Sequence, residues 1–146
     1  MIKRAARVIL NAAVYILIIV SIVWGLPQFL SWKLETPYPL AAITSGSMWP
    51  ALKEGDLVLI KRVGKDEIKK SDIIVWKNER GFTIHRVVAL KDKMLVTKGD
   101  ANFVEDEPVR YENVVGEALT FRGKTARIPY LGFISVMGAN ILESAN

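Results

Sequence analysis

Residues 56–63, DLVLIKRV, decide the fold of this chain. Apolar and polar side chains alternate through the segment, and β-branched residues recur in it. A period of two sends successive side chains to opposite faces, as a half-buried strand requires and a helix of period 3.6 does not. Working outward, short runs of the same character follow at 72–76 (DIIVW), 82–90 (FTIHRVVAL), 94–97, 114–121 and 125–128. Turn residues separate them: Glu54-Gly55-Asp56, the stretch 77–81, and Gly99-Asp100, with 68–71 as a further turn. Many short strands at this spacing predict a mainly β domain, a coiled antiparallel sheet of barrel-like form.

Upstream the pattern is different. No charged residue occurs from 8 to 32, and 8–26 is strongly apolar. As a helix rising about 1.5 Å per residue, that run nearly spans a hydrocarbon core of roughly 30 Å. Its one notable polar residue, Asn11, lies toward the charged end. Lys3, Arg4 and Arg7 precede the run, so the positive-inside rule places the N-terminus in the cytoplasm and the remainder outside. Trp24, Phe29 and Trp32 suit an interface, and Pro27 is expected to end the helix there. The run is longer than the roughly 7–15 residues of a removable leader, and no small-x-small site directly follows it. The expected organisation is therefore a transmembrane anchor at 1–32, an extracytoplasmic β domain at 33–128, and an apolar segment at 129–146 on the membrane surface or domain edge. Pro129, Gly132 and Gly138 count against a second crossing.

The 146 residues include no cysteine, which excludes disulfides, thiolate metal sites and a Cys nucleophile. The net charge of +5 is scattered, with no basic stripe or stacking motif to bind nucleic acid.

Chemistry concentrates in three places. Ser45-Gly46-Ser47-Met48-Trp49-Pro50 follows the anchor closely. Its Ser-Gly-Ser carries little bulk, so a substrate backbone can approach, and one hydroxyl can assist a developing oxyanion beside the other. His85, the single histidine, lies within a predicted strand, and its neighbour Arg86 projects to the opposite face, where an ion pair is expected. The stretch 99–106 is an acidic turn carrying Asp100, Glu105 and Asp106, from which a carboxylate can orient an imidazole. A hydroxyl, a base and an orienting acid are the parts of an activated nucleophile, and chain order does not define such a triad.

Taken together, Ser-Gly-Ser-Met-x-Pro, Gly55-Asp56, His85-Arg86, Gly99-Asp100-x-Asn102 and the closing 128–132 (IPYLG) resemble the type I signal peptidases over nearly the whole chain. Histidine at 85 is similar to the branch of archaea, the endoplasmic reticulum and some spore formers; the main bacterial branch has lysine there. The resemblance implies Ser47 as nucleophile, Ser45 with the Ser47 amide as oxyanion hole, His85 as base, Asp106 as its partner, and Asp100 as a second important acid. Met48 and Trp49 are expected to contact substrate or membrane. Trp49 departs from the acidic residue common at its position, adding apolar area there. The implied substrates are preproteins whose leaders bind extended along a strand edge, with small residues flanking the cut. Lipid and secretion-complex subunits are the other expected partners, with no cofactor or metal. An inactive anchored module that binds leaders is the alternative, and a self-cleaving repressor-type protease, lysine-based and without an anchor, fits less well.

Overall fold

The structure is a computed structural model that describes residues 2–79, 81–134 and 136–137. Its N-terminal element is one continuous helical rod. Helix α1 (Ile2–Val20) passes through a wide π turn at Ser21–Gly25 into α2 (Leu26–Leu34). Residues Arg4–Leu34 of this rod are long and apolar enough to cross a membrane, and none of their most apolar window is buried against the domain. Thirty-one residues extend about 46 Å, beyond a hydrocarbon core of roughly 30 Å.

Pro27 does not end the helix. The Leu26 N–H already reaches five residues back to the Ser21 carbonyl, and Pro27 falls in the first turn of α2. There its missing N–H breaks no pair. The rod stops at Glu35, which adopts left-handed backbone angles (φ 53°, ψ 32°).

Beyond the rod, the described residues are mainly antiparallel β. The strands are β1 (Leu40–Ala42), β2 (Leu57–Lys61), β3 (Ile73–Asn78), β4 (Gly81–Leu90), β5 (Met94–Lys98), β6 (Val109–Arg110), β7 (Val114–Ala118), β8 (Thr120–Phe121), β9 (Lys124–Thr125) and β10 (Arg127–Ile128). One sheet runs in the order β1-β2-β7-β3-β4-β5-β6, with β10 also on β2; β8 and β9 form a separate hairpin. The predicted runs become β2, β3, β4 and β5, while 114–121 divides into β7 and β8. The turn at 77–81 is tighter than expected, because Asn78 and Gly81 already pair across it. Gly81 has φ 117°, open to a residue without Cβ.

Alternation along β3 explains how the sheet is filled. Ile73 and Val75 join one buried cluster with Ile43, Met48, Leu52, Val58, Ile60 and Ala118. Ile74 between them joins the other, with Ile68, Val87, Leu95 and Val109. The sheet is thus packed on both faces, and each fully buried side chain contributes roughly 1.5–3 kcal/mol.

After β10 the chain turns back onto Gly55-Asp56. The Gly132 N–H donates to the Gly55 carbonyl at 2.9 Å, and Arg127 Nη1 donates to Asp56 Oδ2 at 2.6 Å. A Cβ on Gly132 would stand 2.5 Å from the Asp56 carbonyl oxygen, so only glycine permits this approach. Residues 131–134 are helical; the rest of the predicted apolar segment, from 138 onward, lies outside the described residues.

Candidate active site

Ser47, His85 and Asp106 come from three parts of the chain and meet at one point. Ser47 stands on the turn after β1, His85 lies within β4, and Asp106 is in the connection from β5 to β6. His85 Nδ1 is 2.6 Å from Asp106 Oδ2, and His85 Nε2 is 3.1 Å from Ser47 Oγ. A carboxylate only accepts, so Nδ1 carries the proton and donates it to Asp106. The Nε2 lone pair then faces the Ser47 hydroxyl. In this arrangement a neutral imidazole can take the hydroxyl proton while the carboxylate stabilises the imidazolium that forms. The side chains of His85 and Asp106 are 10% and 20% exposed, sheltered enough for that charge pairing to be strong.

Asp106 is held from behind. Thr97 Oγ donates to Asp106 Oδ2 at 2.6 Å, and the Asp106 N–H donates to the Thr97 carbonyl at 2.8 Å. Sequence reading missed Thr97, although a signal was present. Leu95 and Thr97 share one face of β5, Leu95 is core, and a hydroxyl entering that face needs a partner.

Met48 faces the core, contrary to the expectation that it contacts substrate or membrane. It is fully buried in the first cluster, and its carbonyl accepts from the Leu52 N–H at 2.9 Å. With Ser47 turned toward His85, its neighbour is turned inward, and the buried thioether ties the Ser47 turn to the sheet. Trp49 is 59% exposed.

Asp100 belongs to a different charged group. Arg86 Nε donates to its Oδ1 at 2.7 Å and Arg86 Nη2 to its Oδ2 at 2.6 Å, so Asp106 alone of the two acids meets His85. The hydrogen bond that Arg86 donates to Asp100 raises the Arg86 pKa above its already high ordinary value. Arg86 Nη1 also donates to the Ser71 carbonyl at 2.8 Å. The turn this pair holds touches Ser47 directly: the Ala101 N–H donates to the Ser47 carbonyl at 2.8 Å. A Cβ on Gly99 would lie 2.7 Å from that same carbonyl oxygen, which explains glycine at the start of the turn. Ser45 Oγ is 3.2 Å from Ser47 Oγ.

A groove of about 330 Å³ leads to Ser47, with Ala41, Ala42 and Ile43 on one side and Thr83 and Ile84 on the other. Both sides are open strand edges. Strand β1 pairs with β2, and β4 is joined to β5 only from Arg86 onward. Ile43 gives its N–H and carbonyl to Asp56 and Gly55. Its neighbours Ala42 and Thr44 therefore turn their backbone groups the other way, toward the groove.

No family model matches the chain. The catalytic subunit sec11 of the signal peptidase complex of Sclerotinia sclerotiorum is 30% identical over 151 residues, covering 92% of this chain and 81% of the fungal protein. The chain belongs to the signal peptidase catalytic-subunit family. The corresponding subunit of Pyrenophora tritici-repentis matches equally well, at 30% identity over 152 residues and the same coverage. The human signal peptidase complex catalytic subunit SEC11C is 33% identical over 114 residues, 68% of this chain and 56% of its own length. The chain thus spans little more than half of that relative. Among the described residues of this signal peptidase family member, no group of His, Asp and Glu is placed to hold a metal ion.

Proposed function

We propose that the chain is a membrane-anchored serine endopeptidase that removes N-terminal signal peptides from exported preproteins. The observation that carries this reading is the hydrogen-bonded line Ser47, His85, Asp106 at the end of a groove with two open strand edges. An extended leader adds its backbone between β1 and β4 and pairs with Ala42 and Thr44. The narrow groove beside Ala41 and Ala42 favours small residues next to the cut. His85 takes the Ser47 proton, Ser47 Oγ attacks the scissile carbonyl, and the carbonyl electrons move onto oxygen. The Ser47 amide and the Ser45 hydroxyl receive that oxyanion. Collapse expels the mature N-terminus, which takes the proton from His85, and leaves an acyl-enzyme. Water activated by His85 then releases the leader. No metal or organic cofactor enters the scheme.

The anchor is single-pass, with its N-terminus in the cytoplasm and the groove on the outer side of the cell membrane. Relatives named as subunits of a complex suggest partner subunits for this chain also.

The test is a preprotein with an Ala-x-Ala site, incubated with the full chain in liposomes, followed by sequencing of the product N-terminus. A product beginning directly after the site is expected. Binding of the leader without cleavage, with lipid and partner subunits supplied, would replace this reading by that of an anchored binding module.

A histidine base must be neutral to act. Below the imidazole ionisation range kcat/KM is therefore expected to fall about tenfold per pH unit. A kcat/KM that does not fall on acidification, with chemistry limiting the rate, would remove His85 from the role of base.

A further inference from the structure

The five residues from Glu35 to Pro39 connect the helical rod to β1, and Glu35, Thr36, Tyr38 and Pro39 each take part in a hydrogen bond. Ser31 Oγ donates to the Thr36 carbonyl at 2.6 Å, and the Thr36 N–H donates back to the Ser31 carbonyl at 3.2 Å. Thr36 is 3% exposed, one of few buried polar side chains in the described structure. Its hydroxyl accepts from the Tyr38 N–H at 3.2 Å. Pro37 and Pro39 fix their own φ angles and restrict the residues before them. The rod is also bonded to the residue that follows β2, and the connection to β2 itself. The Arg62 N–H donates to the Leu34 carbonyl and the Ile60 N–H to the Pro39 carbonyl, each at 2.9 Å.

This joint leads to both sides of the groove. One side, β1, begins at Leu40, directly after Pro39. The other is reached through Tyr38, whose ring centre lies 4.9 Å from that of Phe82. Phe82 lines the groove two residues before Ile84 and three before His85. A flexible tether would need none of these contacts, because a preprotein leader could be reached by a domain free to swing.

We propose that the joint formed by Ser31, Thr36 and Tyr38 holds the groove at one height and tilt above the bilayer, and that this height selects which bond of a leader is cut. These are positioning residues that touch no reacting atom. The inference rests on the signal peptide reading above. The selected quantity is the distance between the membrane-embedded part of the leader and its scissile bond, so of two equally suitable sites a few residues apart, the one at the matching height is cleaved. A misplacement of about 1 Å can change a rate on the order of a hundredfold, so a rigid joint is a sufficient selector.

The experiment has two readouts on the full chain in liposomes. The chain lacks cysteine, so Phe103→Cys, at a fully exposed position, provides one labelling site. Energy transfer from a dye there to acceptors on lipid headgroups reports the height distribution without reference to activity. The second readout is site choice in a preprotein carrying two Ala-x-Ala sites four residues apart. The native joint is expected to give one narrow height and a preference of about tenfold or more for one site. A flexible glycine-serine insertion after Pro37 is expected to broaden the height and bring the two sites to near-equal use, while a short soluble peptide is cut at the native rate. Should the insertion abolish cleavage of the short peptide, Ser31→Ala and Thr36→Val, which leave the connection its length, decide by the same readouts. A native height distribution already as broad as that of the insertion, or a site preference unmoved by a broadened height, overturns the proposal. A narrow native height with no cleavage of any preprotein instead sinks the peptidase reading and leaves the joint standing.

Discussion

Ser47→Ala is expected to abolish cleavage of an Ala-x-Ala preprotein, with a loss on the order of 10⁶-fold, the scale on which a serine protease loses its nucleophile. The hydroxyl is the one group aligned with His85 Nε2, at 3.1 Å. Ser45, 3.2 Å away across the turn, is placed to assist an oxyanion and has no hydrogen bond to His85. Removing the hydroxyl leaves the fold intact. Ser47 is partly exposed, its carbonyl keeps the Ala101 N–H, and Met48 keeps its place in the core. Stability should change by no more than about 1 kcal/mol. Initial rates of product formation, beside the thermal unfolding curves of both proteins, make the check. Equal rates for variant and wild type would remove Ser47 from the chemistry.

Asp106→Asn is expected to lower kcat by roughly 10⁴-fold, the cost of presenting the wrong imidazole tautomer in a Ser-His-Asp arrangement. An asparagine turned to donate toward Nδ1 forces the proton onto Nε2, where it opposes the Ser47 hydroxyl. The Thr97 contact still holds the side chain, so the melting temperature should move little. Asp100→Asn gives a different signature. It leaves Arg86 without its charged partner in a partly sheltered site and loosens the turn whose Ala101 N–H holds Ser47. Stability and kcat should fall together, and the acid limb of the pH profile should stay where it was. Steady-state kinetics with thermal melts separate the two variants. A larger kcat loss in Asp100→Asn at unchanged stability would reverse the assignment of the two acids.

The parts of this architecture that follow a long pattern were legible in the sequence. Strand β2 shows in the alternation of 56–63, β4 in 82–90, and the helical rod in its uncharged run. Strands β1 and β6 were not legible, since two or three residues hold no period to read. Pro27 was misread because a proline stop assumes regular pairing, and the preceding π turn had already shifted that pairing by one residue. At the site, residue types and order pointed to Ser47, His85 and an acid. Which acid serves which base is a matter of three-dimensional distance: Asp100 and Asp106 stand in one short acidic turn, yet one meets Arg86 and the other His85. Thr97 and Met48 carry the same lesson. A buried hydroxyl outside the motifs and a buried thioether inside one support the site from behind, and the direction in which a side chain points is not written in a motif.

The two open edges of the groove bear on how copies of this chain live beside one another in a bilayer. An unpaired strand edge invites the strand of any neighbour, and sheets that present one tend to join edge to edge into aggregates. Anchoring in a plane raises local concentration and makes such encounters frequent. Here the edges of β1 and β4 face each other across a narrow recess. Two edges turned inward on one groove suit a single extended chain between them better than the rim of another folded domain. On the reading proposed above, a recess shaped for one extended leader is therefore also expected to disfavour edge-to-edge polymerisation between copies.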